Sequence, residues 1–238
     1  MATANTYRNL ALRHLAADDL DLIEPHLVKT ELPLRHRLSQ AERPIERIYF
    51  LETGIASDTM SVDHRPPVEI GVVGREGVAC FPLILGARQA PSTVFMQIGG
   101  EGHALPAAAL LTAMEASASL RRVLLGFVNV FMVQTASTIV ANAKASASER
   151  MARWLLMAQD RVDGPTIELT HEFLATMIGV RRATVSEILR DFASQSVLAG
   201  HRGAVTILDR AALERHANGY YGPAEAELRR LLEAARAR

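Results

Sequence analysis

The spacing of apolar residues changes character three times along the chain. Between Leu10 and Leu27, the apolar positions Leu12, Leu15, Leu20, Ile23 and Leu27 are interleaved with Asp18, Asp19 and Asp21, a rhythm that predicts short amphipathic helices. From Leu32 to about Ala104 short apolar runs take over: Arg47-Ile48-Tyr49-Phe50-Leu51, Val68-Glu69-Ile70-Gly71-Val72-Val73 and Thr93-Val94-Phe95-Met96-Gln97-Ile98. Pro44, Gly54, Pro66, Pro67, Gly74, Gly86, Pro91, Gly99 and Gly100 punctuate them. Many short strands separated by such breakers predict a small antiparallel barrel or jelly roll. Helical spacing returns from Pro106 to Met114 and leads into a stretch, Val123 to Ala143, that holds no charged residue.

That stretch has the length of a membrane span, about 20 residues. It also contains Asn129, Gln134, Thr135, Ser137, Thr138 and Asn142, polar groups that are costly in lipid unless paired. Leu120, Leu124, Phe127, Phe131, Gln134, Thr138 and Ala141 recur at alternating intervals of four and three, the rhythm of a two-helix seam. We therefore read Ser119 to Ala145 as a dimerisation helix rather than a span, with Leu120, Leu124, Phe127 and Phe131 as its seam. Ser146 to Val162 reads as another helix, with Met151, Trp154, Leu155 and Ala158 on one face and Asp163-Gly164-Pro165 as its stop.

Composition narrows the function. With 238 residues, 49% of them hydrophobic, the chain can bury a large core. Its 26 Lys and Arg balance 26 Asp and Glu, so any contact with nucleic acid has to come from a local patch rather than from overall charge. The single cysteine, Cys80, rules out an intrachain disulfide framework and a four-cysteine metal site, and fits a reducing cytoplasm. Cys80 sits in an apolar run, Val78-Ala79-Cys80-Phe81-Pro82, as an inert buried thiol would. His36, His64 and His103 lack metal-ligand spacing, so no metal or other cofactor is expected. The polar start, Met1 to Leu10, carries no apolar signal segment. No nucleophile elbow, phosphate loop, zinc-protease motif or paired-carboxylate constellation is present, and the chain is not expected to be an enzyme.

The most informative run is Thr170 to Arg190. Thr170 suits an N-cap, Leu174 and Ile178 share one helical face, Ala175 is small where a second helix would cross, and Gly179 can take the positive φ of a tight turn. Val180, Val185, Ile188, Leu189 and Phe192 bury the next helix from the other side, which turns Arg181, Arg182, Ala183, Ser186, Glu187 and Arg190 outward. Val197 to Leu208 then gives two apolar strands around a His201-Arg202-Gly203 tip, a hairpin wing. Helix, turn, helix and wing form a DNA-binding module. The alternative from another class is a dimeric ligand-binding or signalling protein whose helical hairpin contacts protein.

At these residues the chain resembles the Crp/Fnr family of bacterial transcription regulators. The likeness runs through Leu169 to Leu189 and the wing, through Leu32 to Arg35 and Glu46 to Gly54 as first barrel strands, and through Gly74-Arg75-Glu76-Gly77 as the Gly-x-x-Gly turn of the effector domain. It implies an α+β architecture: an N-terminal jelly-roll sensor domain (residues 1–118), a dimerisation helix (119–145), a winged helix-turn-helix domain (146–218) and a C-terminal tail (219–238). It implies base reading by Arg182, Ala183, Ser186 and Glu187, with Arg182 bidentate to a guanine. Ala183 replaces the acidic residue many members carry. Thr170, His171, Arg181, Thr184, His201 and Arg202 fall at or beside phosphate-contacting positions. The implied partners are a second copy, a pseudo-palindromic double-stranded operator and RNA polymerase, with no membrane. The cyclic-nucleotide pattern is broken. Arg75 stands where the ribose-binding carboxylate belongs, and Pro91 where the phosphate-binding arginine belongs, so the expected signal is something other than cyclic AMP.

Overall fold

The computed structural model describes residues 6–63 and 67–236; the start of the polar N-terminal stretch, His64, Pro66 and the last two residues of the tail lie outside these. Two short helices, α1 (Leu10–Arg13) and α2 (Ala17–Ile23), open the described chain. Seven strands follow: β1 (Val28–Leu32), β2 (Arg37–Ser39), β3 (Arg47–Leu51), β4 (Ile55–Met60), β5 (Val68–Val73), β6 (Thr93–Ile98) and β7 (Gly100–Pro106). They form two antiparallel sheets in the orders β1-β7-β3 and β2-β6-β4-β5. Leu32, Ile48 and Leu105 of the first share one core with Ala56, Val94 and Met96 of the second. The expected jelly-roll-like domain is therefore present. Its strands at 47–51, 68–73 and 93–98 stand where the apolar runs put them.

Helix α3 (Ala107–Ala116) leads into the 27-residue α4 (Ala118–Lys144). Ser117 caps α4, its hydroxyl accepting from the Leu120 N–H at 3.1 Å, which satisfies one of the first-turn donors a helix leaves open. By length and apolarity alone α4 could cross a membrane. In the fold, however, its apolar face lies on the barrel. Gln134 clasps strand β5, its Oε1 accepting from the Val72 N–H at 2.7 Å and its Nε2 donating to the Val72 carbonyl at 3.1 Å. Gly71 makes that approach possible, because a Cβ there would sit 2.7 Å from the Phe131 ring.

This geometry corrects the seam expected from the sequence. Leu120, Leu124, Phe127 and Phe131 are buried in the core that α4 shares with its own barrel, so they are not free to meet a partner. The heptad rhythm was real, but it recorded packing within the chain. A second four-three stripe, Leu125, Asn129, Met132, Ala136, Ile139 and Ala143, runs along the exposed side, where Met132 keeps 59% and Ile139 64% of its surface against 5% for Phe127.

Beyond α4 come α5 (Ala147–Gln159), β8 (Thr166–Glu168), α6 (His171–Ile178), α7 (Arg182–Ser194), β9 (Leu198–His201), β10 (Ala204–Ile207) and α8 (Arg210–His216). The expected C-terminal tail is instead largely a helix, α9 (Pro223–Arg236), which packs back on α4. Gly126 admits it, since a Cβ there would lie 2.4 Å from Leu231, and Asn129 donates to Glu227 at 2.8 Å. Leu228, Leu231 and Leu232 supply the apolar face, spaced as an amphipathic helix requires.

Candidate nucleic-acid interface

The site is built from α6, α7 and the β9–β10 wing. Thr170 caps α6, accepting from the Phe173 N–H at 3.3 Å, and Gly179 ends it at φ 67°, a left-handed turn in which a glycine carries no Cβ penalty. The chain re-enters helix at Arg182, with Arg181 in extended backbone as the N-cap. No side chain caps α7 and no acid lies in its first turn, so its leading N–H groups and positive dipole end remain open to an anion such as a DNA phosphate. Val185, Leu189 and Phe192 anchor the opposite face in one core with Trp154, Leu174 and Ile178.

Arg181, Arg182, Ala183, Glu187 and Arg190 are exposed on α7, as the pattern predicted. Ser186 and Thr184 are half-buried. The Ser186 hydroxyl is already engaged, with the Arg182 carbonyl at 3.2 Å and His171 Nδ1 at 3.0 Å, so it ties the start of α6 to α7. The wing turns at Gly203, φ 76°, leaving His201 and Arg202 exposed at its tip. Strand β10 pairs with β8, and the Leu169 N–H donates to the Gly203 carbonyl at 2.9 Å. That pairing sets the Gly203 turn of the wing beside Leu169, the residue before Thr170.

The sensor end has different geometry. The space between barrel and α4 at Val72, Val78, Phe81, Phe127 and Phe131 is a cavity of only about 20 Å³, room for roughly one water. Phe81 and Phe131 stack there with ring centroids 4.5 Å apart. The Gly74–Gly77 turn is spent on the DNA-binding domain instead. Glu76 accepts from the Gly74 N–H at 3.1 Å and from Arg161 at 2.7 Å, and Arg75 donates to Asp163 at 2.8 Å. Cys80 is buried, and burial pushes its thiol up to about 12, which keeps it protonated and unreactive.

Residues 149–216 match the family model of the Crp-like helix-turn-helix domain. No curated protein matches the chain. Among solved structures it is similar to a CRP-family transcriptional regulator of Thermus thermophilus, at 17% identity and TM-score 0.67 over 80% of this chain and 97% of that one. It is also similar to FixK2 of Bradyrhizobium japonicum, at 14% and 0.67 over 79% and 96%. A third is the c-di-GMP-responsive global regulator CLP of Xanthomonas campestris, at 14% and 0.64 over 81% and 99%. Residues 149–216 thus form a Crp-like helix-turn-helix domain, and the chain as a whole has the fold of Crp/Fnr regulators. A Crp-like helix-turn-helix with its outward helix face open marks the chain as a DNA-binding transcription regulator.

Sequence reasoning missed the seam between the two domains. Glu69 is buried there, its two carboxylate oxygens accepting from Trp154 Nε1 at 2.8 Å and from Ser57 Oγ at 2.7 Å. Its signal was legible as the lone acid in the apolar run Val68 to Val73. Nothing in that run, however, told which element would cover it.

Proposed function

We propose that the chain regulates transcription as a homodimer that reads a pseudo-palindromic operator, with its sensor domain answering a signal other than cyclic AMP. Two copies would meet along the exposed α4 stripe, which is the observation that carries the dimer: a long helix presents Leu125, Met132, Ile139 and Val140 to solvent at the spacing of a two-helix seam. The two α7 helices would then enter successive major grooves about 34 Å apart. Arg182 and Glu187 would read base edges, with Ala183 beside them. Thr170, His171, Arg181, Thr184, His201 and Arg202 would hold phosphates, and the open start of α7 would add its backbone donors. RNA polymerase is the further partner, the cytoplasm is the place of action, and regulation proceeds by binding without a chemical step.

Two features support the signal half of this reading. A cavity of about 20 Å³ beneath Phe81 and Phe131 cannot take a nucleotide, and Glu76 is already paired with Arg161. The same fold serves a c-di-GMP-responsive regulator in Xanthomonas campestris, so it is not tied to one effector. The test combines sedimentation, calorimetry with cyclic AMP, and gel-shift on genomic fragments at two salt concentrations. A soluble dimer, no heat of cyclic AMP binding and steeply salt-dependent shifts are expected. A monomer, or saturable cyclic AMP binding at micromolar concentration, overturns the corresponding half.

A further inference from the structure

We propose a binding site for an amphipathic organic anion in the cavity where the sensor turn, α4, the DNA-binding domain and α9 meet. The cavity encloses about 400 Å³, within the range of roughly 300–1,000 Å³ that small-molecule sites occupy. Leu10 from the sensor domain, Val130 from α4 and Leu228 from α9 give it an apolar wall, and Arg75, Arg210 and Arg229 stand at its charged side. All four parts of the molecule thus contribute to one chamber, while the space between barrel and α4 is filled.

The lining chemistry selects the ligand class. The carboxylates at the chamber are already engaged: Glu76 with Arg161, Asp160 with Arg210 and with the Tyr221 hydroxyl at 2.7 Å, and Glu225 with the Gly222 N–H at 3.0 Å. Each guanidinium offers five N–H donors and cannot lose its charge, and Arg229 is exposed at the edge of the chamber. An anionic head therefore finds donors, and an apolar body finds Leu10, Val130 and Leu228. A bare inorganic anion would leave the apolar wall uncovered, and a neutral hydrocarbon would make no use of Arg229, the guanidinium left for a ligand once Arg75 is paired with Asp163 and Arg210 with Asp160. No group of three His, Cys, Asp or Glu side chains among the described residues could hold a metal. Because the walls come from both domains, a ligand that binds one domain arrangement more tightly than another would change DNA affinity, and DNA would change the ligand's affinity by the same factor. That last step rests on the regulator reading; the site itself does not.

Calorimetry on the full chain without DNA tests the site with decanoate and 1-naphthalenesulfonate as amphipathic anions, and with inorganic phosphate and decanol as controls. Saturable binding of one amphipathic anion per chain is expected, with none for either control at the same concentration. Arg229→Glu, on the exposed edge, should weaken binding at least about tenfold, as expected for a lost charge-assisted contact, and Leu228→Trp should weaken it at least about as much by filling the chamber. Failure of both amphipathic anions to bind overturns the proposal, as does binding that both variants leave unchanged or that the controls match. A chain that binds decanoate through these residues but never shifts DNA would leave the site standing and sink the regulator reading instead.

Discussion

Arg181 and Arg182 straddle the start of α7, the first in extended backbone and the second within the first helical turn. Arg182 shares the exposed face with Ala183 and Glu187, the face that enters the major groove in this class of module. Arg182→Ala should cost about 1–3 kcal/mol on the specific operator and relax preference at one base pair of each half-site. Arg181→Ala should weaken specific and non-specific DNA alike and reduce the salt slope by about one. Anisotropy titrations on operator and scrambled duplexes at two salt concentrations separate the two. If both variants lose affinity equally on every sequence, bases are not read by this arginine, and discrimination falls to Glu187 or to DNA shape.

Helix α4 divides its surface among three neighbours: the barrel, α9 and solvent. Phe127 belongs to the barrel side, so Phe127→Ala should cost about 3–5 kcal/mol of stability, as removal of a buried aromatic ring does, and lower the melting temperature. Met132 belongs to the open stripe. Met132→Glu should leave the melting of a protomer nearly unchanged and convert dimers to monomers in sedimentation; persistence of the dimer would place the interface elsewhere. The same helix shows how far the sequence could be read. Its extent, read as Ser119 to Ala145 against the observed Ala118–Lys144, was legible from an uncharged apolar stretch, and the winged module was clear because Thr170, Gly179 and Gly203 mark its turns locally. The face was not, because two four-three stripes coexist on α4, and an apolar repeat does not say whether its partner is the same chain or a second copy. Likewise the leucines of α9 at 228, 231 and 232 signal a buried face, while their partner at Gly126 lies about a hundred residues away.

The two domains are joined by one apolar cluster in which Ile55 and Val72 of the barrel pack with Trp154, Leu155 and Leu174 of the DNA-binding domain. Glu69 is enclosed within this seam, held by Ser57 and Trp154. Burial drives its carboxyl from the ordinary 4.5 up to about 7, against the lowering pull of those two hydrogen bonds and of the Arg153 and Arg161 charges. Arg153 spends its donors elsewhere, on the Tyr220 and Gln134 carbonyls and Thr138. The docked state therefore binds a proton that the separated state releases, so docking is fully supported below pH 4.5, weakens as pH rises, and levels off above about 7. The shift corresponds to about 3 kcal/mol at most. Asp58, inside the barrel and raised by burial to about 6, adds a pH dependence of the same sign, which the variant Glu69→Gln retains. Trp154 is the only tryptophan and bonds to Glu69 directly, so its emission reports the seam. Raising the pH through 7 should shift that emission to the red in the natural protein, with the change lost in Glu69→Gln and the variant the more stable of the two at pH 8. An emission profile that Glu69→Gln leaves intact, or a variant destabilised equally at pH 5 and pH 8, would mean that the ionised carboxylate is accommodated by Arg153 and Arg161 and that docking of the DNA-binding domain is indifferent to this proton.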